Sequence, residues 1–527
     1  MLILRNVSYI HPDKELLFDN INLTVNNHDK IALIGNNGSG KSTLLKIISG
    51  ELKATGEVMT VTSPYYVPQI FGQFNHLTIA QALRVEEKLH ALREILEGRA
   101  TEELMDLLAD DWTIDERCRE ALDRWQLKDL NLEQGMDTLS GGQRTKVFLA
   151  GISIHQPDFI LLDEPSNHLD AVSRKLLYEF IESTSSTLLI VSHDRTLLNL
   201  LNTVCELNKQ GIAVYGGNYD FYIDQKNTET IALNQDIKSK EKALRKAKER
   251  ERETIERQQK LDARGKKKQE KAGIARIMMN TLRNNAEKSS SKIKSVHTEK
   301  IDGISQELHT LRSAVADLDK IKLGFEDSVL HKGKLLFTAV DINFAYKEHQ
   351  LWRKNLSFQI ASGERINLAG SNGSGKTTLI NIILGQLSPS LGNTWRAINK
   401  AIYIDQDYSL IRNELTVYEQ AQRYNEAALE EHEVKVRLNR FLFTKDDWNK
   451  PCSTLSGGER MRLILCCLNL GNNSPDVIIL DEPTNNLDIQ NIEILTIAIK
   501  EYRGTLIVVS HDTYFLEQIG IERTIYL

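Results

Sequence analysis

The residues best equipped for chemistry stand in two glycine-rich runs, GNNGSGKST at Gly35–Thr43 and GSNGSGKTT at Gly370–Thr378. Each has a glycine, four residues, then Gly-Lys and a hydroxyl side chain. Glycines at this spacing let backbone N–H groups turn inward around phosphate oxygens. A lysine at the next position reaches the β- and γ-phosphates, and a Ser or Thr hydroxyl can ligate Mg²⁺. Lys41 and Lys376 are therefore assigned to phosphate, and Ser42 and Thr377 to the metal. Asn36, Asn37, Gly38, Ser39, Gly40 and Thr43 complete the first cradle; Ser371, Asn372, Gly373, Ser374, Gly375 and Thr378 complete the second. The implied ligands are ATP and Mg²⁺.

Acids and histidines follow in matching order. FILLDEP sets four apolar residues before Asp163 and Glu164, and VIILDEP does the same for Asp481 and Glu482. An apolar strand ending in a carboxylate can hold Mg²⁺ through water (Asp163, Asp481), and the next acid can orient the attacking water as general base (Glu164, Glu482). LLIVSHD and LIVVSHD then place His193 and His511 at strand ends, where each can contact a γ-phosphate. Between cradle and acids lie LSGGQ at Leu139–Gln143 and LSGGE at Leu455–Glu459. A serine and two glycines opening a helix present N–H groups that suit an anion.

The elements that must position these groups are legible around them. KIALI and RINLA, short apolar runs before the cradles, predict buried parallel strands. TLLKIISG predicts a helix ending at Gly50. The fold class is α/β, with the motif set given twice. The cradle lysines lie 335 positions apart, the acids and histidines 318, so the first half is longer by 17 residues. Gln69 to Ser140 spans 71 positions against 50 from Gln406 to Ser456, which places the excess in the helical region of the first half. It is either a small projecting arm or longer helices.

Cradle, glutamine after a strand, LSGGQ, acid pair and histidine, in this order and twice, resemble the ATP-binding cassette ATPases. The resemblance implies a sandwich in which each nucleotide lies between one half's cradle and the other half's signature. Gly35–Ser42 should face Ser456, Gly457 and Gly458, with Glu459 beside them; Gly370–Thr377 should face Ser140, Gly141 and Gly142, with Gln143. It also implies that Gln69 and Gln406 approach the metal and that Tyr9 and Tyr346 stack on adenine. The second signature departs from the pattern in ending in Glu459, and Ser166-Asn167 stands where Thr-Asn is usual.

Bulk properties narrow the class. A length of 527 residues suggests about three to four domains. Hydrophobic content of 41% and charge of 26% are those of a globular protein. The five cysteines, Cys118, Cys205, Cys452, Cys466 and Cys467, show no metal-type spacing and read as buried reduced thiols. The start, MLILRNVSYIHPDKELLF, lacks the basic and apolar regions of a signal peptide, and no run of about 18 apolar residues occurs. The expected location is the cytoplasm.

The middle is different. Phe221–Lys320 holds 24 Lys and Arg against 16 Asp and Glu, in a chain of net charge −6. SKEKALRKAKERERETIERQQK is dense in helix formers. Ile301, Ile304, Leu308, Leu311, Val315 and Leu318 recur at heptad spacing, and Leu233, Ile237, Leu244 and Ile255 offer a partner face. The pattern predicts an antiparallel helical hairpin, with helices of about 40 residues and about 60 Å, standing out from the cassettes. From Arg264 to Lys300 there are 11 basic and 3 acidic residues. Arg264, Lys266, Lys267, Lys268, Lys271, Arg276 and Arg283 are candidate RNA contacts there, although a charged helical face can also serve solvation alone.

Two cassettes around such a linker, with GGNYDFYIDQK leading into it and SNHLD and TNNLD after the acid pairs, resemble the ABC-F proteins. The resemblance covers nearly the whole chain and implies a monomeric ATPase on the ribosome. It would bind the tRNA exit site when ATP-closed and act on P-site tRNA and the peptidyl-transferase centre, in translation or in antibiotic resistance. The expected domains are 1–222 and 334–527 for the cassettes and 223–333 for the linker. The ATPase subunit of a membrane exporter is the alternative, though it needs a coupling surface for membrane helices and not a basic rod of about 100 residues; a DNA-handling ATPase is a weaker one, since such proteins usually carry zinc sites or far longer coiled coils.

Overall fold

The computed structural model describes residues 1–11, 16–69, 72–208, 211–271, 295, 298–312, 331–347, 349–471, 475–485 and 487–527. The chain forms two compact units: Met1–Asp220 with Asp319–Leu527, and Phe221–Leu318. The first unit contains both cassettes.

Each cassette is built on a mostly parallel sheet. In the first the strand order is Tyr65–Val67, Phe159–Asp163, Thr187–Val191, Lys30–Ile34, Thr203–Asn208, Gly211–Tyr215, with only the last pair antiparallel. In the second it is Ala401–Ile404, Val477–Asp481, Thr505–Val509, Arg365–Ala369, Arg523–Tyr526, all parallel. The central strands carry near-continuous apolar runs, as strands covered on both faces do. FILLD, TLLIV, VIILD and TLIVV are buried at every residue. A three-stranded antiparallel sheet flanks each core: Leu2–Ile10 between Leu16–Val25 and Thr55–Thr60, and Leu335–Asn343 between Leu356–Ala361 and Leu391–Arg396.

Register fixes the site. Asp163 pairs with Val191 and Leu33 also pairs with Val191. The cradle, the acid pair and the histidine thus leave the same carboxyl edge from three adjacent strands. Asp481 and Val509 repeat the arrangement.

The excess of the first half is an added pair of helices. Ile79–Ala82 corresponds to Val417–Arg423, and Ile114–Arg124 to Glu431–Arg440, each first helix opening with a Thr capping box. Between them the first cassette alone inserts Glu86–Leu96 and Glu102–Leu108. Leu89, Ala91, Leu92 and Leu108 are buried, and Asp111 ties the insertion through Lys88 at 3.0 Å and Arg117 at 2.8 Å.

The second unit is a helical hairpin. Tyr219–Lys271 is one helix of 53 residues, and 298–312 returns along it. Arg312 Nη2 lies 2.5 Å from Glu241 Oε1, Lys240 pairs with Glu307, and Leu308 and Ala247 are buried in the seam. The heptad positions Val315 and Leu318 lie outside the described residues. Among the described residues no helix is long and apolar enough to cross a membrane.

Candidate ATP sites

The first cradle runs from the end of Lys30–Ile34 into the Lys41–Ile48 helix. Its turn depends on Gly40 at φ 96°, where an added Cβ would meet the Phe18 ring at 2.8 Å. Gly375 holds φ 93° against Leu351 in the same way. The lysines are folded onto their own loops. Lys41 Nζ donates to Gly35 O at 2.7 Å and Asn36 O at 3.2 Å; Lys376 Nζ donates to Gly370 O at 2.8 Å and Ser371 O at 3.1 Å. Burial lowers the pKa of both, opposed by Glu164, Asp488 and Asp163 around Lys41 and by Glu482, Asp481 and Asp170 around Lys376.

Asp163 and Asp481 are buried, which pushes their carboxyls up. Hydrogen bonds oppose this: Asp163 accepts from Ser42 and from Tyr66 Oη at 3.3 Å, and Asp481 from Tyr403 Oη at 2.8 Å. Those tyrosines occupy matching strands, and the sequence reading passed them over; only their shared place ahead of Gln69 and Gln406 signals them.

Glu164 and Glu482 carry positive φ, 51° and 47°, a region that non-glycine residues enter at a cost. Each is pinned by its own N–H, which donates at 2.8 Å to Val191 O or Val509 O. Burial raises Glu164 to about 8 and Glu482 to about 7. His193 Nε2 lies 3.2 Å from Glu164 Oε1, and His511 Nε2 lies 3.4 Å from Glu482 Oε1. Burial holds His193 well below its ordinary value and His511 at about 4, so both rings are neutral near pH 7.

Ser140 and Ser456 are the N-caps of Gly141–His155 and Gly457–Leu470. Each closes a capping box with the fifth signature residue. Gln143 Oε1 accepts from Ser140 N at 2.9 Å, and Glu459 Oε2 accepts from Ser456 N at 2.8 Å. Gln and Glu both fill that role, which explains the departure at Glu459. The carboxylate also accepts from Ser456 Oγ at 2.7 Å and, through Oε1, from Lys450 Nζ at 3.2 Å.

The two cassettes share their sites. One cavity of about 580 Å³ is lined by Lys41, Ser42, Thr43, Gln69, Asp163, Glu164 and His193 of the first, with Ser456, Gly457 and Arg460 of the second. Asn37 N donates to Asp488 Oδ2 across the interface at 2.9 Å. At the other cradle, Asn372 Nδ2 donates to His168 O at 3.1 Å, and a Cβ on Gly142 would lie 3.4 Å from that same nitrogen. Thr377 is exposed at the opening of its helix.

Other residues that the sequence singles out lie around these sites. Gln406 lines the cavity of Lys41, together with Asp407 and Tyr408. Tyr9 packs against the core of the flanking sheet, with its ring 6.3 Å from Phe18. His11 stands edge-on to it at 5.6 Å and lines the cavity. In the second cassette Phe344 and Tyr346 form the same edge-on pair at 5.0 Å, and Tyr346 Oη bonds Thr378 Oγ1 at 3.1 Å. The lysine spacing of 335 pairs Tyr346 with His11, not Tyr9, a correspondence available from counting alone. Of the RNA candidates, Arg264 is exposed on the long helix. Lys266, Lys267, Lys268 and Lys271 share its backbone, but their side chains, like Arg276 and Arg283 entirely, lie outside the described residues.

Comparison with known proteins agrees with this geometry. The ABC transporter domain family matches residues 18–167 and 353–485. The ATP-binding protein YdiF of Bacillus subtilis (strain 168) is 32% identical over 537 residues, covering 96% of this chain and 77% of the relative. The ribosome protection protein VmlR of the same organism is 30% identical over 518 residues, covering 98% and 84%. The solved structure of an RNase-L inhibitor shares the fold, with a TM-score of 0.61 at 18% identity over 99% of this chain and 87% of that one. With two matched cassettes, paired signatures and a helical hairpin between them, the chain belongs to the ATP-binding cassette family, as a twin-cassette member of the ABC-F type.

Proposed function

We propose that this chain is an ATPase that binds the ribosome at the tRNA exit site when both composite sites hold ATP and Mg²⁺. Its linker then acts on P-site tRNA and the peptidyl-transferase centre, in translation control or in ribosomal protection against antibiotics. Hydrolysis releases it. Residues 1–222 and 334–527 serve as the cassettes, 223–333 as the linker, in the cytoplasm. The carrying observation is the shared cavity, in which the first cradle faces the second signature. The name of the relative VmlR, a ribosome protection protein, supports the choice of partner.

The donor set suits the nucleotide and metal. Asp163 Oδ1, Glu482 Oε2 and the hydroxyls of Ser39 and Ser374 are buried without a hydrogen-bond partner, groups that a charged ligand would satisfy. Ser42, Gln69 and Asp163 would hold the metal at the first site, and Thr377, Gln406 and Asp481 are the sequence candidates at the second. Bound ATP and Mg²⁺ supply the scissile phosphate and neutralise its charge. The chain does the rest: Lys41 and Lys376 exchange loop carbonyls for phosphate oxygens. Glu164 and Glu482 take the proton of the attacking water, and His193 and His511 hold those carboxyls in place. Ser140 and Ser456 turn their hydroxyls from the capping boxes toward the opposite nucleotide.

The test is co-sedimentation of Glu164→Gln/Glu482→Gln with 70S ribosomes. The variant keeps ATP binding and loses turnover by about 10²–10⁴-fold, the usual worth of a general base. It is expected to pellet with ribosomes only when ATP is present. A protein that stays in the supernatant with and without ATP would remove the ribosome reading.

A further inference from the structure

Tyr66 and Tyr403 each stand three positions before a glutamine, in YVPQ and YIDQ. Each lies on a strand that runs parallel to its acid strand, and the register is the same in both halves. Tyr66 is opposite Leu161, two residues before Asp163; Tyr403 is opposite Ile479, two residues before Asp481. Alternate residues of a strand share a face, so each acid projects on the same side as the residue opposite its tyrosine. That diagonal separation is within reach of an aromatic side chain. The rings are set in apolar surroundings: Tyr66 belongs to the core cluster of Phe159 and Leu161, and Tyr403 packs against the cluster of Val477 and Ile479.

Both hydroxyls end on an acid. Tyr66 Oη donates to Asp163 Oδ2 at 3.3 Å, and Tyr403 Oη donates to Asp481 Oδ2 at 2.8 Å. Burial and the adjacent carboxylate raise both phenols above their ordinary value, so each keeps the proton that it donates. The bond comes from behind the site. Ser42, Gln69 and Asp163 line the cavity around Lys41, and Tyr66 is not among the lining residues. It occupies one carboxylate oxygen and leaves the other: Asp163 Oδ1 is buried without a hydrogen-bond partner. Ser42 also bonds Asp163, but its hydroxyl is the one assigned to the metal. Once that hydroxyl turns to the metal, Tyr66 still holds the carboxylate.

We propose that Tyr66 and Tyr403 are positioning residues for magnesium. Each fixes one oxygen of its acid, Asp163 or Asp481, so that the other faces the water bound to the metal. The tyrosines act through the acids alone. This rests on the reading of Asp163 and Asp481 as the metal-holding carboxylates.

Tyr66→Phe/Tyr403→Phe keeps both rings and removes both hydroxyls. In the Glu164→Gln/Glu482→Gln protein, ATP is titrated once with magnesium and once with EDTA. The change should weaken ATP about tenfold with magnesium, the low end for losing a hydrogen-bond partner of a metal-holding group, and by less than about twofold in EDTA. With both glutamates restored, the free magnesium that gives half-maximal ATPase should rise about tenfold, and excess magnesium should return kcat to within about twofold of the parent. Thermal melting shows whether the rings still pack, and either single change gives the same test at its own site. Equal weakening with and without magnesium would reduce the tyrosines to packing and overturn the proposal. So would no change in either condition, or a loss of kcat that excess magnesium does not restore. Asp163→Asn/Asp481→Asn is the control for the metal: if it leaves the magnesium-dependent gain in affinity intact, the assignment of the acids fails first and the proposal with it.

Discussion

Glu164 and Glu482 show what a motif conveys and what it conceals. Their place after an apolar strand was readable, and so was their pairing with a histidine. Their positive φ was not, because it arises from the N–H bonds to Val191 and Val509, carbonyls distant in sequence. Tyr66 and Tyr403 escaped notice for the same reason: an isolated tyrosine on a short strand has no signature until the neighbouring strand brings an aspartate to it. The buried glutamates also set a pH dependence. In nucleotide- and magnesium-free protein, Glu164 sits at about 8 and Glu482 at about 7, above the ordinary 4.5. Folding thus favours the protonated form, and that contribution is present below 4.5 and lost as pH rises through about 8. The melting temperature of Glu164→Gln/Glu482→Gln, relative to the parent, should climb between pH 5 and pH 8. The depressed histidines act in the opposite sense, as pH falls below 6.5, and do so in both proteins. A difference that stays flat with pH would contradict the burial of the two carboxyls. His11 supplies a further residue-scale expectation. His11→Ala should weaken ATP binding at the first site by several-fold, whereas Tyr9→Phe, half-buried against Phe18, should leave it unchanged. Nucleotide titration of the double Gln variant reads both.

Elements were legible where periodicity was strong. KIALI and RINLA are strands, and the helix after the first cradle ends where Gly50 takes φ 83°. The spacing excess in the first half was visible as a number but not as a shape. Glu86–Leu96 and Glu102–Leu108 form two short helices because Gly98, at φ 86°, turns the chain between them. No count of residues supplies that turn. The hairpin was foreseen from its heptads, although its first helix runs to 53 residues, about 80 Å, rather than about 40. Leu308, 5% exposed, is the most buried residue of the return helix among those described. Leu308→Ala should cost the hairpin about 2 kcal/mol, the low end for a partly lined site. Limited proteolysis should then cut within 221–318 sooner, while the cassettes melt as before. Unchanged protection of the linker would mean that the seam is not held there.

At the scale of the whole molecule, the repeat carried the most information. Two signatures and two cradles in one chain imply crossed sites, and the Asn37–Asp488 and Asn372–His168 contacts span the cassettes in that sense. What the repeat hid was the contact between its halves. Gln406 and Arg460 line the cavity of Lys41, and Arg174 shares a small cavity with Thr484 and Ile492; both depend on packing between halves, which no internal alignment contains. The charge division between linker and cassettes leads to a test at this scale. Lys266→Glu/Lys267→Glu/Lys268→Glu should weaken ribosome co-sedimentation and flatten its salt dependence, while basal ATPase is unchanged. Ribosome affinity equal to the parent's would end the phosphate-contact reading of that segment.

The joining of both cassettes in one chain also has a kinetic consequence. Each site draws its halves from segments hundreds of positions apart, yet neither half must find a second molecule. Closure is therefore first order, governed by an effective concentration in the millimolar range for tethered partners rather than by the amount of protein in the cell. A handful of copies closes as readily, molecule for molecule, as a crowded solution of them.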